Sequence, residues 1–371
     1  MENLIVTIHD LARGGAGVAK LDSGEIVFVP FTAPGDKVSV QIHKRKKNYS
    51  HGTLVEILEP SPLRVTPKCP SFTQCGGCTW QHLPYSLQFE TKKKGLLQAL
   101  KRASISIEGI PFDEMPAENE YFYRNRIQLK GNPKTKEIGF FERGTQTLTP
   151  IQTCSITDQR INDRLNSLAK EGFDRFQDHF KLELDLAPTG EVRAAWDQKN
   201  AAFGFRQVND TQNSKLKDWV TRHIVPADLL FDLYGGDGNL SLSLADKFDR
   251  VFCVDLFTPK TGLEPTPANF QYDRRDINQW ARSALPQGLL GKTTSLILDP
   301  PREGVGQSFE TIHNKISKIT VKSAILVSCD VDSFTRDSLS FLQSGYQLKH
   351  LGALDLFPQT PHLECLALFS K

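Results

Sequence analysis

Phe231-Asp-Leu-Tyr-Gly-Gly-Asp-Gly-Asn239 follows directly on Leu229-Leu230 and carries glycines at 235, 236 and 238. Glycines at this spacing let the chain turn sharply and let a ligand approach the backbone at the carboxyl end of a strand. Val254-Asp255 closes the next strand candidate, and its carboxylate falls 23 residues after Asp232. In a doubly wound sheet an acidic residue at that position binds ribose hydroxyls. No Lys-Ser/Thr follows the glycines, so the loop is not of the Walker type. Working outward, the apolar stretches 229–234, 251–255, 295–298 and 324–327 alternate with helix-compatible segments. That pattern predicts a parallel α/β sheet, buried on both faces, over the C-terminal part of the chain.

Three more strand ends carry reactive groups. Leu296-Ile-Leu-Asp-Pro-Pro-Arg-Glu-Gly304 delivers Asp299 on a loop stiffened by two prolines. Ile325-Leu-Val-Ser-Cys-Asp330 places the Cys329 thiol just past a buried strand, expected to face the same crevice rim as Asp232 and Asp299. Phe357-Pro-Gln-Thr-Pro-His-Leu-Glu364 puts a carboxylate near the chain end. Read singly, these are a rigid strand exit, a small buried residue and a solvated charge. The alternative for Cys329 is a nucleophile, if its thiol pKa were lowered, and for Asp299 a carboxylate held over the crevice where such sheets bind ligands.

Upstream the texture changes. Residues 1–58 read as short strands punctuated by Gly14-Gly-Ala-Gly17 and Pro34-Gly35, which predicts a small β-barrel. Pro60-Ser-Pro62 marks a boundary. Cys69, Cys75 and Cys78 then fall within ten residues, with Cys154 far downstream. Four thiolates so spaced satisfy either tetrahedral zinc or an iron–sulfur cluster, and sulfur count alone does not choose. The stretch 84–103 predicts a helix that starts at Pro84 and is interrupted or weakened at Gly95. A further helix is expected near 158–171.

Composition bounds these readings. With 371 residues, 39% hydrophobic and 24% charged, the chain has the make-up of a globular protein. At roughly 100–200 residues per domain it holds two or three. The formal net charge is only +2, yet Lys37–Arg102 carries twelve Lys/Arg against three Glu, a candidate polyanion surface that includes Lys44-Arg-Lys-Lys47. Seven cysteines, unevenly placed, point to metal or nucleophile chemistry rather than a disulfide scaffold. No run approaches the ~18 apolar residues that span a bilayer. The expectation is a cytoplasmic protein, a monomer, with no membrane partner.

Together these motifs resemble the RNA (uracil-5-)-methyltransferases, which methylate uridine C5 with S-adenosylmethionine. The resemblance covers essentially the whole chain. It implies three parts: a TRAM domain, an OB-type RNA-binding barrel, at 1–58; a central α+β domain with an iron–sulfur segment at 59–204; and a Rossmann-like methyltransferase domain at 205–371. Pro67-Lys-Cys-Pro-Ser-Phe-Thr-Gln-Cys-Gly-Gly-Cys-Thr-Trp-Gln-His82 is similar to the segment that holds a [4Fe–4S] cluster in the ribosomal-RNA branch, which implies Cys69, Cys75, Cys78 and Cys154 as iron ligands. By the same resemblance Gln207, in Phe205-Arg-Gln-Val-Asn209, with Tyr234, Asn239, Asp255, Asp276 and Asp299, lines the cofactor and base site. Cys329 is then the nucleophile and Glu364 the base. Large-subunit ribosomal RNA is the expected partner, transfer RNA the second.

The chain departs from the family pattern at four places. Gly235 stands where many members carry Cys, Asp330-Val331 replaces Asn-Pro, and Pro361 replaces a frequent Gly. Only twenty residues separate Asp255 from Asp276, through Pro259, Pro265 and Pro267, which exclude the usual helix and alter the adenosine pocket walls. Two other readings compete. Asp-Pro-Pro also occurs in adenine-N6 methyltransferases, but Arg302 stands where those carry a stacking aromatic. A nonenzymatic iron–sulfur RNA-binding protein with a degenerate methyltransferase domain accounts for the shortened 256–275 stretch.

Overall fold

A computed structural model describes residues 3–198, 202–257 and 266–371. The first strands are β1 (Leu4–Leu11), β2 (Gly17–Lys20), β3 (Ile26–Val29), β4 (Lys37–Arg45) and β5 (Tyr49–Glu59), closed into a barrel in the order β1-β2-β3-β5-β4. Alternate residues Val6, Ile8, Val27, Val29, Val38 and Val40 point inward and fill it, the period-2 pattern of a half-buried sheet. Closure removes the edges on which a small antiparallel sheet would otherwise aggregate.

The chain then enters α1 (Tyr85–Arg102) and β6 (Phe112–Met115). A second sheet, order β11-β10-β7-β8-β9, is built from β7 (Arg126–Asn132), β8 (Glu137–Phe141), β9 (Leu148–Pro150), β10 (Phe180–Leu186) and β11 (Val192–Trp196). Helix α2 (Gln159–Arg175), capped by the Asp158 carboxylate, covers one of its faces through Ile161, Leu165 and Leu168.

The third sheet has eight strands. It comprises α3 (Asp210–His223), β12 (Leu229–Leu233), β13 (Arg250–Val254), β14 (Phe270–Asp273), α4 (Ile277–Arg282), β15 (Thr293–Leu298), α5 (Ser308–Ile316), β16 (Thr320–Ser328), α6 (Val331–Gln343), β17 (Gln347–Leu354) and β18 (Glu364–Ser370), with β6 joining its far edge. The order β14-β13-β12-β15-β16-β18-β17-β6 reverses direction between β12 and β15, which is the switch point where open α/β sheets bind ligands. Strand alternation feeds two cores: Leu229, Phe231, Leu233, Leu296 and Leu298 on one face, Leu230, Ile297, Ile325 and Val327 on the other. Two buried faces explain why these strands read as unbroken apolar runs.

Two expectations need revision here. Gly95 neither breaks nor ends its helix, which runs unbroken through it. A Cβ at 95 would meet the Arg13 stem at 3.0 Å, and Arg13 crosses the helix there to pair with Asp332 of α6. The glycine is a crossing point between barrel and sheet, and it costs the helix about 1 kcal/mol against Ala. Nor does the segment before 205 form a separate layer throughout. Phe89, Leu96 and Leu100 of α1 belong to the core of the eight-stranded sheet, and β6 pairs in parallel with β17. The basic segment is also less bare than its composition suggests. Lys37, Arg64, Lys92, Lys93 and Lys94 are each paired with a carboxylate, whereas Lys44, Arg45, Lys46 and Lys47 stand exposed at the β4–β5 turn.

α1 is fastened to the sheet by a buried ion pair. Lys92 Nζ lies 2.7 Å from Asp355 Oδ1 and donates to the Phe357 carbonyl at 3.0 Å, and both side chains are fully buried. Asp355 also accepts from the Tyr85 hydroxyl and the Phe357 amide. Every charge-bearing atom is therefore satisfied, which is the condition for such a pair to be tolerated. Lys92→Met is expected to cost about 3–5 kcal/mol by leaving Asp355 charged and alone. Urea unfolding measures this, and Lys92→Met with Asp355→Asn should recover more than half of the loss.

Candidate active site

Parallel register aligns the carboxyl ends of the central strands: Leu233 pairs with Val254 on one side and with Leu298 on the other, and Leu298 with Leu326. The residues that leave those ends, Tyr234, Asp255 and Asp299, share one rim. The Tyr234 amide donates to the Val254 carbonyl at 2.9 Å and the Asp299 amide to that of Leu233 at 3.3 Å. Tyr234 turns through φ +63°, a conformation unusual for a side-chain-bearing residue, and so starts the glycine loop. Asp255 then secures that loop, accepting from the Gly236 amide at 3.2 Å and the Phe257 amide at 2.7 Å. Asp276 caps α4 through the Asn278 and Gln279 amides. Burial, with smaller contributions from the Asp337 and Asp276 charges, pushes the Tyr234 phenol up to about 12.

Asn239 is held by a partner that motif reading missed. Its amide and that of Asn213 on α3 exchange hydrogen bonds at 2.9 and 3.0 Å. The only sequence signal was an Asn facing the loop from a helix capped by Asn209. Gln207 is buried next to this helix, and its carbonyl accepts from Asn125 Nδ2 at 3.0 Å.

Asp232 is not on the rim, contrary to expectation. Strand alternation turns it to the opposite face from Phe231 and Leu233, under the glycine loop, where its carboxyl accepts from Ser241 Oγ at 2.5 Å. Burial raises its pKa to about 7. This placement also accounts for Gly235. A Cβ there would come within 2.5 Å of Asp232 Oδ2 and 2.6 Å of Cys253 Sγ, so the position admits no side chain while Cys253 fills the space beneath. Of the proline stretch, Pro259 and Pro265 lie outside the described residues.

At the other end of the rim β16 and β18 run antiparallel, with Ser328 opposite Cys365, which sets Cys329 beside Glu364. Glu364 is buried, and burial together with the Asp299 charge drives its pKa well above the usual carboxyl range. Asp299 is itself raised to about 7, chiefly by burial. Burial and the Glu364 carboxylate push the Cys329 thiol up to about 11, and Arg302 opposes them. Asp330 explains the loss of Asn-Pro after the cysteine: its carboxylate caps α6 by accepting from the Asp332 and Ser333 amides at 3.0 and 2.9 Å. Asp caps as well as Asn, and Val331 takes the first helical position without strain. Pro361 packs near Gly15 of the barrel, which also receives the Trp80 indole N–H on its carbonyl at 2.9 Å.

The four thiols Cys69, Cys75, Cys78 and Cys154 line one cavity of about 360 Å³. Among the described residues no three of the sulfurs lie within 4.8 Å of one another. Gln81 accepts the Cys69 amide at 3.0 Å and Asn162 that of Cys154 at 2.8 Å, which fixes the two ends of the set. Burial and neighbouring thiols raise Cys78 to about 12. Immediately after it, Thr79 and Trp80 donate their amides to the Gln359 carbonyl at 3.0 and 3.1 Å, and Gln359 and Gln88 exchange hydrogen bonds at 3.0 Å. The cysteine segment therefore braces the loop that leads into Glu364.

The domain model that matches residues 2–55 is the TRAM domain. An uncharacterized RNA methyltransferase of Bdellovibrio bacteriovorus is 32% identical over 98% of this chain and 93% of its own length. A 23S rRNA (uracil(1939)-C(5))-methyltransferase of Histophilus somni is 27% identical over 98% of this chain and 95% of its own length. Among solved structures, the Pyrococcus abyssi tRNA (uracil-54, C5)-methyltransferase, bound to S-adenosyl-L-homocysteine, shares the fold over 98% of this chain and 99% of its own, with a TM-score of 0.72 and 21% identity. An N-terminal TRAM domain and similarity over almost the whole length to RNA methyltransferases define an enzyme of the methyltransferase class. With the full-length similarity, the chain belongs to the RNA methyltransferase family.

The crowded carboxyls have a measurable consequence. A carboxyl whose folded pKa exceeds its unfolded value binds a proton more tightly in the native state, so its stabilising contribution is full below the unfolded pKa and is lost as pH rises through the folded one. For Asp299 that window runs from about 4 to about 7. Glu364→Gln and Asp299→Asn are each expected to melt a few degrees above wild type at pH 8, with the gap narrowing through pH 7 to 5 and closing near pH 4. Scanning calorimetry across pH checks this.

Proposed function

We propose that the protein transfers a methyl group from S-adenosylmethionine to C5 of a uridine in structured RNA, with 23S ribosomal RNA the first candidate, through a covalent adduct on Cys329. The observation that carries the reading is the convergence of Cys329, Glu364 and Asp299 at adjoining strand ends. S-adenosylmethionine supplies the methyl group as an electrophilic sulfonium. Tyr234, Asn239, Asp255 and Asp276, with Gln207 behind them, form its expected wall at the switch point. C5 of uracil is a weak nucleophile, so Cys329 Sγ adds to C6 and makes C5 an enolate carbon. After methylation the Glu364 carboxylate removes the C5 proton, and the returning electron pair expels the thiolate. Arg302 is the cation that favours the thiolate, and Asp299 holds the base edge.

A uridine must leave its stack to reach this rim, at a few kcal/mol unless it is already looped out. The exposed Lys44–Lys47 turn of the barrel supplies phosphate contacts to hold the RNA while that happens. The four thiols suit a [4Fe–4S] cluster better than zinc, because a tetrahedral ZnS4 site with 2.3 Å bonds needs sulfurs ~3.8 Å apart. Such a cluster, held by Cys69, Cys75, Cys78 and Cys154, would fix the loop before Glu364. In this reading the enzyme acts as a monomer in the reducing cytoplasm.

Trapping tests the central claim. A 5-fluorouridine-containing 23S rRNA fragment with S-adenosylmethionine should give a denaturation-resistant adduct with wild type and none with Cys329→Ala. An adduct that survives the substitution overturns the nucleophile, and one formed only on transfer RNA reassigns the substrate. For the cluster, Cys75→Ser should remove the bound iron and the visible absorption of the purified protein.

A further inference from the structure

Far from the rim, three side chains from three separate elements meet at the sheet edge. Asp113 lies on β6, His223 in the last turn of α3, and His350 on β17. His223 Nε2 is 3.3 Å and His350 Nε2 3.0 Å from the same oxygen, Asp113 Oδ2, and one ligand atom from each residue falls within 4.8 Å of the other two. The imidazole ring centres are 4.1 Å apart.

Hydrogen bonding does not account for this arrangement. Asp113 Oδ2 already accepts the Trp219 indole N–H at 2.9 Å and pairs with His223 Nε2. These two partners use its lone pairs. His350 Nε2 is close to that oxygen but makes no hydrogen bond, and it is shielded from solvent. A buried ring nitrogen aimed at an already occupied oxygen is costly unless something stands between them. A cation satisfies all three groups at once. The spacing suits one: two ligands 2.0–2.1 Å from a tetrahedral ion are ~3.3 Å apart.

We propose that Asp113, His223 and His350 bind a divalent transition-metal ion of the zinc type, with solvent completing the coordination. Imidazole ligands select zinc-like ions over magnesium or calcium. The Asp113 side chain is one-third exposed, which leaves the ion an entrance and a solvent position. Trp219, fully buried, packs at an inclined angle against His223 with ring centres 4.5 Å apart and holds Asp113 through its N–H, so the ligands are oriented from behind. The ion would clasp β6, a four-residue edge strand that arrives from the segment before residue 205, to α3 and β17. Its role is to lock the sheet's outer edge, remote from the methyl-transfer rim.

The test uses full-length protein, freed of loosely bound metal on a chelating resin, with iron content matched between samples. Wild type titrated calorimetrically with zinc chloride should take up one molar equivalent more than His350→Ala or Asp113→Asn, and zinc should raise its melting temperature but not theirs. Asp113→Asn keeps an acceptor for Trp219, so its loss of zinc reports ligation rather than damage. Cobalt in the same site should show weak visible bands without the intense sulfur charge-transfer band of thiolate ligation. Equal zinc uptake by wild type and both variants, or a sulfur band in the lost equivalent, overturns the proposal.

Discussion

The Lys92–Asp355 pair holds the most consequential position in the fold. It is fully buried, it joins the helix that follows the cysteine segment to the strand that leads into the Glu364 loop, and Tyr85 and the Phe357 backbone complete its hydrogen bonds. Attraction in a low-dielectric interior is strong, but so is the cost of removing two charges from water. The pair is better understood as a register device than as a source of stability. Only one placement of α1 satisfies both ions, and that placement puts Gln88 against Gln359 and Trp80 under the barrel.

The strand-end rim inverts the ordinary rule for charges. Glu364 is buried and Asp299 partly so, with few compensating cations, and each has its pKa raised, as has Asp232 beneath the glycine loop. A raised pKa makes a carboxylate a stronger base near neutral pH, which is the property proton removal from carbon requires. The folded state bears this cost because the surrounding strands, buried on both faces, keep the rim from relaxing.

The central sheet was legible because its strands are uninterrupted apolar runs that end in Gly, Asp or Cys, and those ends are where register places the rim. Cys329 and Asp299 could be singled out, since a lone reactive residue just past a buried strand is informative, whereas Glu364, the first residue of β18, was pointed to only by the family resemblance. The edge was not legible. β6 is four residues of Phe-Asp-Glu-Met, with no alternation to mark it, and its partner β17 lies more than 200 residues away. Asp232 was misplaced because a motif says which residues are near a turn but not which strand face each one takes. Gly95 was misread for a related reason: what the glycine accommodates, Arg13, comes from another part of the chain.

The contacts among Gly15, Trp80 and Pro361, with Arg13 reaching Asp332, bear on how freely the parts of this enzyme can be exchanged. A barrel grafted from a relative would have to bring a side chain able to cross at Gly95 and a main-chain carbonyl positioned for the Trp80 indole. Without them it would leave a large aromatic exposed at the seam. Barrel, cysteine segment and the loop before Glu364 are therefore physically interdependent: each presents a surface that the other two are shaped to meet.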